Sequence, residues 1–285
     1  MTVTQLPQAD TRRDRYGRYL LPDPETGKER PWTRITTVAN TLADRYGLEQ
    51  WAQRNTALGI GLRPDLYALA VSSTIDDRTQ LNKIVSQAQD AAKASSGANL
   101  GTALHRITER VDQGDDLNIP AEWEGDVDAY CQTLVDHHVT IDPGWIERIV
   151  INTHFGVAGT LDRLVTLSGQ AAHTVADLKT GKHAVTYGTG EIAVQLALYA
   201  TATHAWTGVD FQPLPPVDTN KALLIHLPVG QATCTLHTVD IAAGLEAARI
   251  AFDVREWRKR KDLTQPYSIL DQVVEQPKLV ADDDW

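Results

Sequence analysis

"WIERIVINTHFGVAGTLDRLVTLSGQAAHTVADLKT", Trp145 to Thr180, is the stretch whose reading decides the fold. "WIERIVIN" alternates apolar and polar residues, and so does "VAGTLDRLVTL"; "SGQ" supplies turn chemistry, and "AHTVADLKT" follows. Three such runs joined by short connections predict an antiparallel meander. The third run is the unusual one. Val175, Ala176 and Leu178 mark it as a buried strand, yet it carries an acid and a base two residues apart, Asp177 and Lys179. Strand side chains share a face at every second position, so these two stand side by side. A carboxylate and an ammonium on an apolar strand are either paired with each other or employed in chemistry.

Working outward, residues 1–35 read as a turn-rich arm or irregular lobe, without helical period. Residues 36–95 read as a helical N-terminal region. In it "TTVANTLADRYGLEQWAQRNTALG" predicts one helix with Val38, Leu42, Tyr46, Leu48 and Trp51 as its apolar stripe. A further helical stretch runs from about Asp76 to Asp112, broken at "SSGANLG" and restarting around Leu100. "PAEWEGDVDAYCQTLVDHHV" predicts another helix with Pro120 at its start. Beyond the meander, "EIAVQLALYATATHAW" is apolar nearly all round and predicts a helix buried against the sheet. "ALLIHLPVGQATCTLHTVD" reads as a strand pair, and "IAAGLEAARIAFDVREWRKRK" as a last helix. Helices, then a meander, then a buried helix and more strands define an α/β or α+β class with a helical addition.

The 285 residues, 42% hydrophobic and 22% charged, describe an ordinary globular chain. No window nears the ~18 consecutive apolar residues of a membrane span, and no signal-peptide pattern opens the chain. Two cysteines, Cys131 and Cys234, cannot make a disulfide framework, so a cytoplasmic protein with reduced thiols is expected. A net charge of −10 argues against coating of nucleic acid through bulk charge. It leaves open an enzyme whose acids gather around metal ions while a local basic groove holds DNA.

The acids fall at telling intervals. "GTALHRITE" puts Gly101, His105 and Glu109 on one helix face. Glu147 lies on the first strand and Asp162 on the second, just past Gly159, which lets another backbone approach closely. If the strands are neighbours, Asp162 and Asp177 lie at one height. Carboxylates so placed repel unless a cation sits between them. Mg²⁺ takes one or two carboxylates plus water and phosphate oxygens, and an imidazole suits Mn²⁺. With Lys179 beside it, such a site suits metal-assisted phosphodiester hydrolysis. Each residue also has an ordinary reading. Asp177–Lys179 reads as a half-solvated ion pair, His105 as satisfied by Glu109, Gln195 as bonded to a core carbonyl, and Tyr199 as a core aromatic.

Taken together, "GTALH", "GTLD", "ADLKTGK" and "QLALY" resemble, in order and context, the RecB-type branch of the PD-(D/E)xK nuclease superfamily, which includes phage and CRISPR-associated exonucleases. The resemblance covers about residues 97–205. It implies a restriction-endonuclease-like core over 96–270, with a central mixed sheet flanked by helices. It implies a Mg²⁺ or Mn²⁺ site made by His105, Asp162, Asp177 and the Leu178 carbonyl, with Lys179 catalytic and Glu147 as an accompanying acid. Gln195 and Tyr199 would line the DNA-side wall, and Thr180 and Lys182 would contact substrate. Many members carry four cysteines for an iron–sulfur cluster. Two cysteines 103 residues apart predict a member without one.

The expected function is therefore a metal-dependent DNA exonuclease leaving 5′-phosphates, acting in phage or bacterial recombination, repair or turnover. The alternative is a catalytically silent DNA-binding or assembly module on the same fold. "REWRKRKD", with Arg258 and Lys259, is either a cationic helix end or a phosphate-contacting edge. The acidic tail 271–285 closes in "ADDDW", which reads as an unstructured end or as the acidic–aromatic kind of tip that recruits a recombination or single-strand-binding partner. A homo-oligomer is compatible with the sequence; a membrane partner is not expected.

Overall fold

A computed structural model describes residues 11–92 and 96–267. The tail expectation, "ADDDW" included, lies outside the described residues. In chain order the elements are β1 (Tyr19–Pro22), β2 (Glu29–Arg34), α1 (Ile35–Ala39), α2 (Tyr46–Leu62), α3 (Pro64–Val71), α4 (Arg78–Ala91), α5 (Ser96–Asp112) and α6 (Ala121–Asp136). The sheet strands β3 (Val139–Asn152), β4 (Val157–Leu167) and β5 (Thr174–Lys179) follow, then α7 (Ala184–Tyr187) and α8 (Thr189–Ala200). The chain continues through β6 (His204–Trp206), β7 (Phe211–Pro213), β8 (Lys221–His226), β9 (Thr235–Asp240) and α9 (Ile241–Trp257).

The expected meander is present: β3 pairs antiparallel with β4, and β4 with β5. The sheet runs β7-β6-β3-β4-β5-β8-β9, and it is mixed because β5 and β8 pair in parallel. One face carries α1, α8 and α9, whose Ile35, Leu196, Leu198 and Ala248 pack on Leu164, Val175 and Leu224. The other carries α5 and α6, whose Leu104, Val127 and Tyr130 pack on Val165, Ala176 and Leu178. A strand covered on both faces needs apolar residues at consecutive positions, which is why β5 carries Val175, Ala176 and Leu178 with only Asp177 among them. Helix α8 is apolar nearly all round because the sheet, α1 and α9 all press on it.

Several elements differ from expectation. Residues 19–34 are an antiparallel hairpin rather than an irregular lobe, closed by the Tyr19–Trp32 register. Thr33 and Arg34 then pair in parallel with Val157 and Ala158, so this segment joins the main sheet. Trp32 is buried and its indole N–H donates to the Leu21 carbonyl, which ties the hairpin internally. The helix expected over 36–59 is two helices, α1 and α2, and of its apolar stripe only Val38 is buried: Leu42, Tyr46, Leu48 and Trp51 are exposed. Small residues decided that packing. A Cβ on Gly59 would meet the Ala88 carbonyl of α4 at 1.8 Å, and Gln89 bonds back to Thr56. Helix α5 restarts at Ser96, earlier than Leu100, and the buried helix stops at Ala200, giving "HAW" to β6.

Candidate active site

The site forms where β4 and β5 part. Their register pairs Arg163 with Ala176, so one step on Asp162 stands across from Asp177. There Leu178 N–H donates to Asp162 Oδ2 at 3.0 Å instead of to a strand carbonyl. On the other side, Ile146 and Arg148 pair with Arg163 and Leu161, which sets Glu147 opposite Asp162. Glu147 has φ +51°, a left-handed conformation rare for a bulky residue, just past the shift in β3–β4 register between Ile141 and Ile146. Three acids from three neighbouring strands therefore share one height.

Helix α5 brings His105 over them, its Nδ1 3.9 Å from Asp162 Oδ2. The motif glycine explains how. Gly101 faces Thr180, and a Cβ there would lie 2.5 Å from Thr180 Oγ1, so a bare helix surface lets α5 settle beside the end of β5. The glycine of the second motif acts likewise, with a correction. What approaches Gly159 is the ring of Tyr199, which a Cβ would meet at 2.7 Å, and not another backbone.

Lys179 Nζ lies 2.5 Å from the buried Asp177 Oδ2, an ion pair within one strand. Gln195 Nε2 donates to Asp177 Oδ1 at 3.0 Å. Burial, and then Asp162 and Glu109 nearby, push the Glu147 carboxyl up to about 8. Burial and Asp162 push Asp177 up to about 6, against the pull of Lys179. Burial lowers Lys179, but Asp177 and Asp162 outweigh it and hold the ammonium above its ordinary value. Burial also lowers His105, more than Asp162 and the Leu178 backbone raise it, so its imidazole favours the neutral form.

This donor set suits a hard divalent cation. Buried carboxylates that repel one another and a neutral imidazole beside them gain from a further positive charge among them, since Lys179 alone leaves Asp177 and Glu147 raised. Side chains pair with each other as they stand: among the described residues, no three acidic, histidine or cysteine groups form a ready-made cage. His105, Asp162, Asp177, Leu178, Lys179, Glu147 and Gln195 are brought together. Tyr199 is not on a DNA-facing wall; it is 2% exposed and packs on Gly159, where the ring fills space that no side chain occupies. Thr180 turns to α5, and Lys182 is exposed just past β5. Arg258 and Lys259 are not brought to the carboxylates. Phe252 of α9 stacks on Phe155 in the β3–β4 turn, and Lys259 pairs with Glu256.

Sequence reasoning missed two things. Glu109, which the ordinary reading offered as a partner of His105, helps raise Glu147 instead, and burial, with Asp162 nearby, raises its own carboxyl. The fully buried Arg163, with Thr108 and Asp112, had only one sequence signal: a cation beside Asp162 on a strand with both faces covered.

A mixed sheet between helices, with acids from adjacent strands and a lysine two residues past one of them, defines a metal-dependent nuclease class. The chain matches the PD-(D/E)XK nuclease superfamily over residues 81–228, just over half its length, and belongs to that superfamily. No curated protein matches the chain.

Proposed function

We propose that the protein is a Mg²⁺- or Mn²⁺-dependent DNA exonuclease of the RecB-type branch, cutting phosphodiester bonds to leave 5′-phosphates in phage or bacterial DNA recombination, repair or turnover. The observation that carries this reading is the alignment of Glu147, Asp162 and Asp177 across three neighbouring strands, beside Lys179. Asp162, Asp177, His105 and the Leu178 carbonyl would hold the cation, with Glu147 at its flank. Bound there, the cation lowers the pKa of water and neutralises charge gathering on the phosphate and the departing 3′-oxygen.

The chain's own residues do the rest. Lys179, kept protonated by Asp177 and Asp162, orients the attacking water and stabilises negative charge on the phosphate oxygens. Gln195 fixes the Asp177 carboxylate, and Leu178 N–H fixes that of Asp162. Lys182, exposed beyond the strand end, contacts the phosphate backbone of bound DNA. The bond from water oxygen to phosphorus forms as the bond to the 3′-oxygen breaks; the water gives up a proton to solvent and the 3′-oxygen takes one up as a hydroxyl, so the phosphate stays on the 5′ side.

The test is incubation of wild type and Asp177→Ala with end-labelled linear, circular and single-stranded DNA in Mn²⁺, Mg²⁺ or EDTA. Cation-dependent loss of linear DNA by wild type alone is expected, and the labelled end gives the polarity. DNA bound but never cut under any condition would replace this reading with a silent binding module. Cutting of closed circles would make the enzyme an endonuclease.

A further inference from the structure

Arg163 has no part in the chemistry above, yet it sits beneath the site with its side chain wholly buried. Its Nε donates to Asp112 Oδ2 at 2.7 Å, and its Nη2 donates to Thr108 Oγ1 at 2.9 Å. Both partners belong to α5, four residues apart and so on one face. The Thr108 hydroxyl in turn donates to the His105 carbonyl at 2.9 Å. Tyr130 of α6 donates its hydroxyl to the Asp112 carboxylate at 2.8 Å, closing the network from the second helix. The remaining nitrogen, Nη1, is buried without a hydrogen-bond partner and lies 3.9 Å from Asp162 Oδ2.

One side chain of β4 thus reaches the turn of α5 that carries His105, from the position next to Asp162. We propose that Arg163 is a positioning residue for the cation site: it locks α5 to β4 so that His105 and Asp162 face one point, and it keeps Nη1 beside Asp162 Oδ2. This rests on the nuclease reading of the site. The planar fork is what makes the arrangement possible, since one rigid group serves Asp112, Thr108 and Asp162 in three directions. A lysine has the charge but not the fork. Groups that orient metal ligands alter metal affinity when removed, typically 10- to 100-fold. The positive charge itself works against a nearby cation, and Asp112 offsets it.

The inference is tested on the full chain without DNA. Mn²⁺ binding by Arg163→Lys and Arg163→Met is measured by electron paramagnetic resonance titration, alongside circular dichroism and melting in EDTA. Both variants, folded by circular dichroism, are expected to bind Mn²⁺ about tenfold or more weakly than wild type, with no rescue by lysine. A folded variant that melts lower but binds Mn²⁺ as wild type does, or more tightly, overturns the positioning role. If neither variant folds, Thr108→Val decides, because it removes the Nη2 acceptor at nearly constant volume: weaker Mn²⁺ binding supports the inference, and unchanged binding overturns it. Failure of wild type to bind Mn²⁺ would sink the nuclease reading together with this one, whereas wild-type binding with unaltered variants sinks this one alone.

Discussion

Asp177 and Lys179 make different contributions although they are in contact. Asp177 is 1% exposed, with one oxygen against Lys179 and the other accepting from Gln195, and in the proposed function its carboxylate is a cation ligand. Asp177→Ala is expected to abolish cleavage and leave the far-ultraviolet circular dichroism unchanged, but to lower the melting temperature, because Lys179 loses the partner of a largely buried ion pair. Lys179→Ala removes the charge that the proposed function assigns to the transition state. Its kcat is expected to fall 100-fold or more, while Mn²⁺ affinity by calorimetry changes far less than in Asp177→Ala. Equal losses of affinity in the two variants would contradict the separation of roles. Tyr199 illustrates the limit of reading single residues. Its spacing from Gln195 is visible in the sequence, but only the fold shows that the ring fills the hollow over Gly159.

Among the elements, α8 and α9 depend on one close approach. A Cβ on Gly244 would meet the Ala193 carbonyl at 2.3 Å and Ala197 Cβ at 2.8 Å, and a helix backbone cannot yield as a flexible side chain can. Gly244→Ala therefore gains helix propensity but overpacks the contact. A net destabilisation of about 1–3 kcal/mol is expected, read as a lower urea midpoint with unchanged slope. The strands were legible because each keeps a short pattern bounded by turn residues. Helix α2 was not legible in the same way. Its apolar stripe is real, but the face that packs is made of Ala52, Thr56 and Gly59, since α4 comes too close for larger groups. Apolar periodicity predicts a helix more surely than it predicts which side is buried.

At the scale of the whole molecule, the acids couple site chemistry to stability. Without a cation, the Glu147 carboxyl is raised to about 8 and Asp177 to about 6. Folded protein then binds more protons than unfolded chain between the ordinary carboxylate range and pH 8, so unfolding releases protons. The associated stability is fully present below the ordinary carboxylate values and is lost as pH rises through 6 and then 8. In EDTA, a lower melting temperature is expected at pH 8.5 than at pH 5.5. Mn²⁺ or Mg²⁺ should recover it at the higher pH, where ionised ligands bind best. A melting temperature that rises with pH in EDTA would remove the electrostatic basis of the site.

What the sequence determined is local. Alternation set the three strands, turn residues set their connections, and the order of glycine, histidine, acids and lysine marked the site's residues, because these signals act over a few positions. Tertiary structure decided whatever depends on segments distant in the chain. The hairpin at residues 19–34 joins a strand more than a hundred residues later, through Thr33 and Val157. Gly101 proves to be a seat for Thr180, and Arg163 proves to be the tie between β4 and α5. Glu147 becomes part of the acidic row because the β3–β4 register sets it opposite Asp162. Close packing and buried charge depend on which surfaces meet, and a linear pattern does not carry that information.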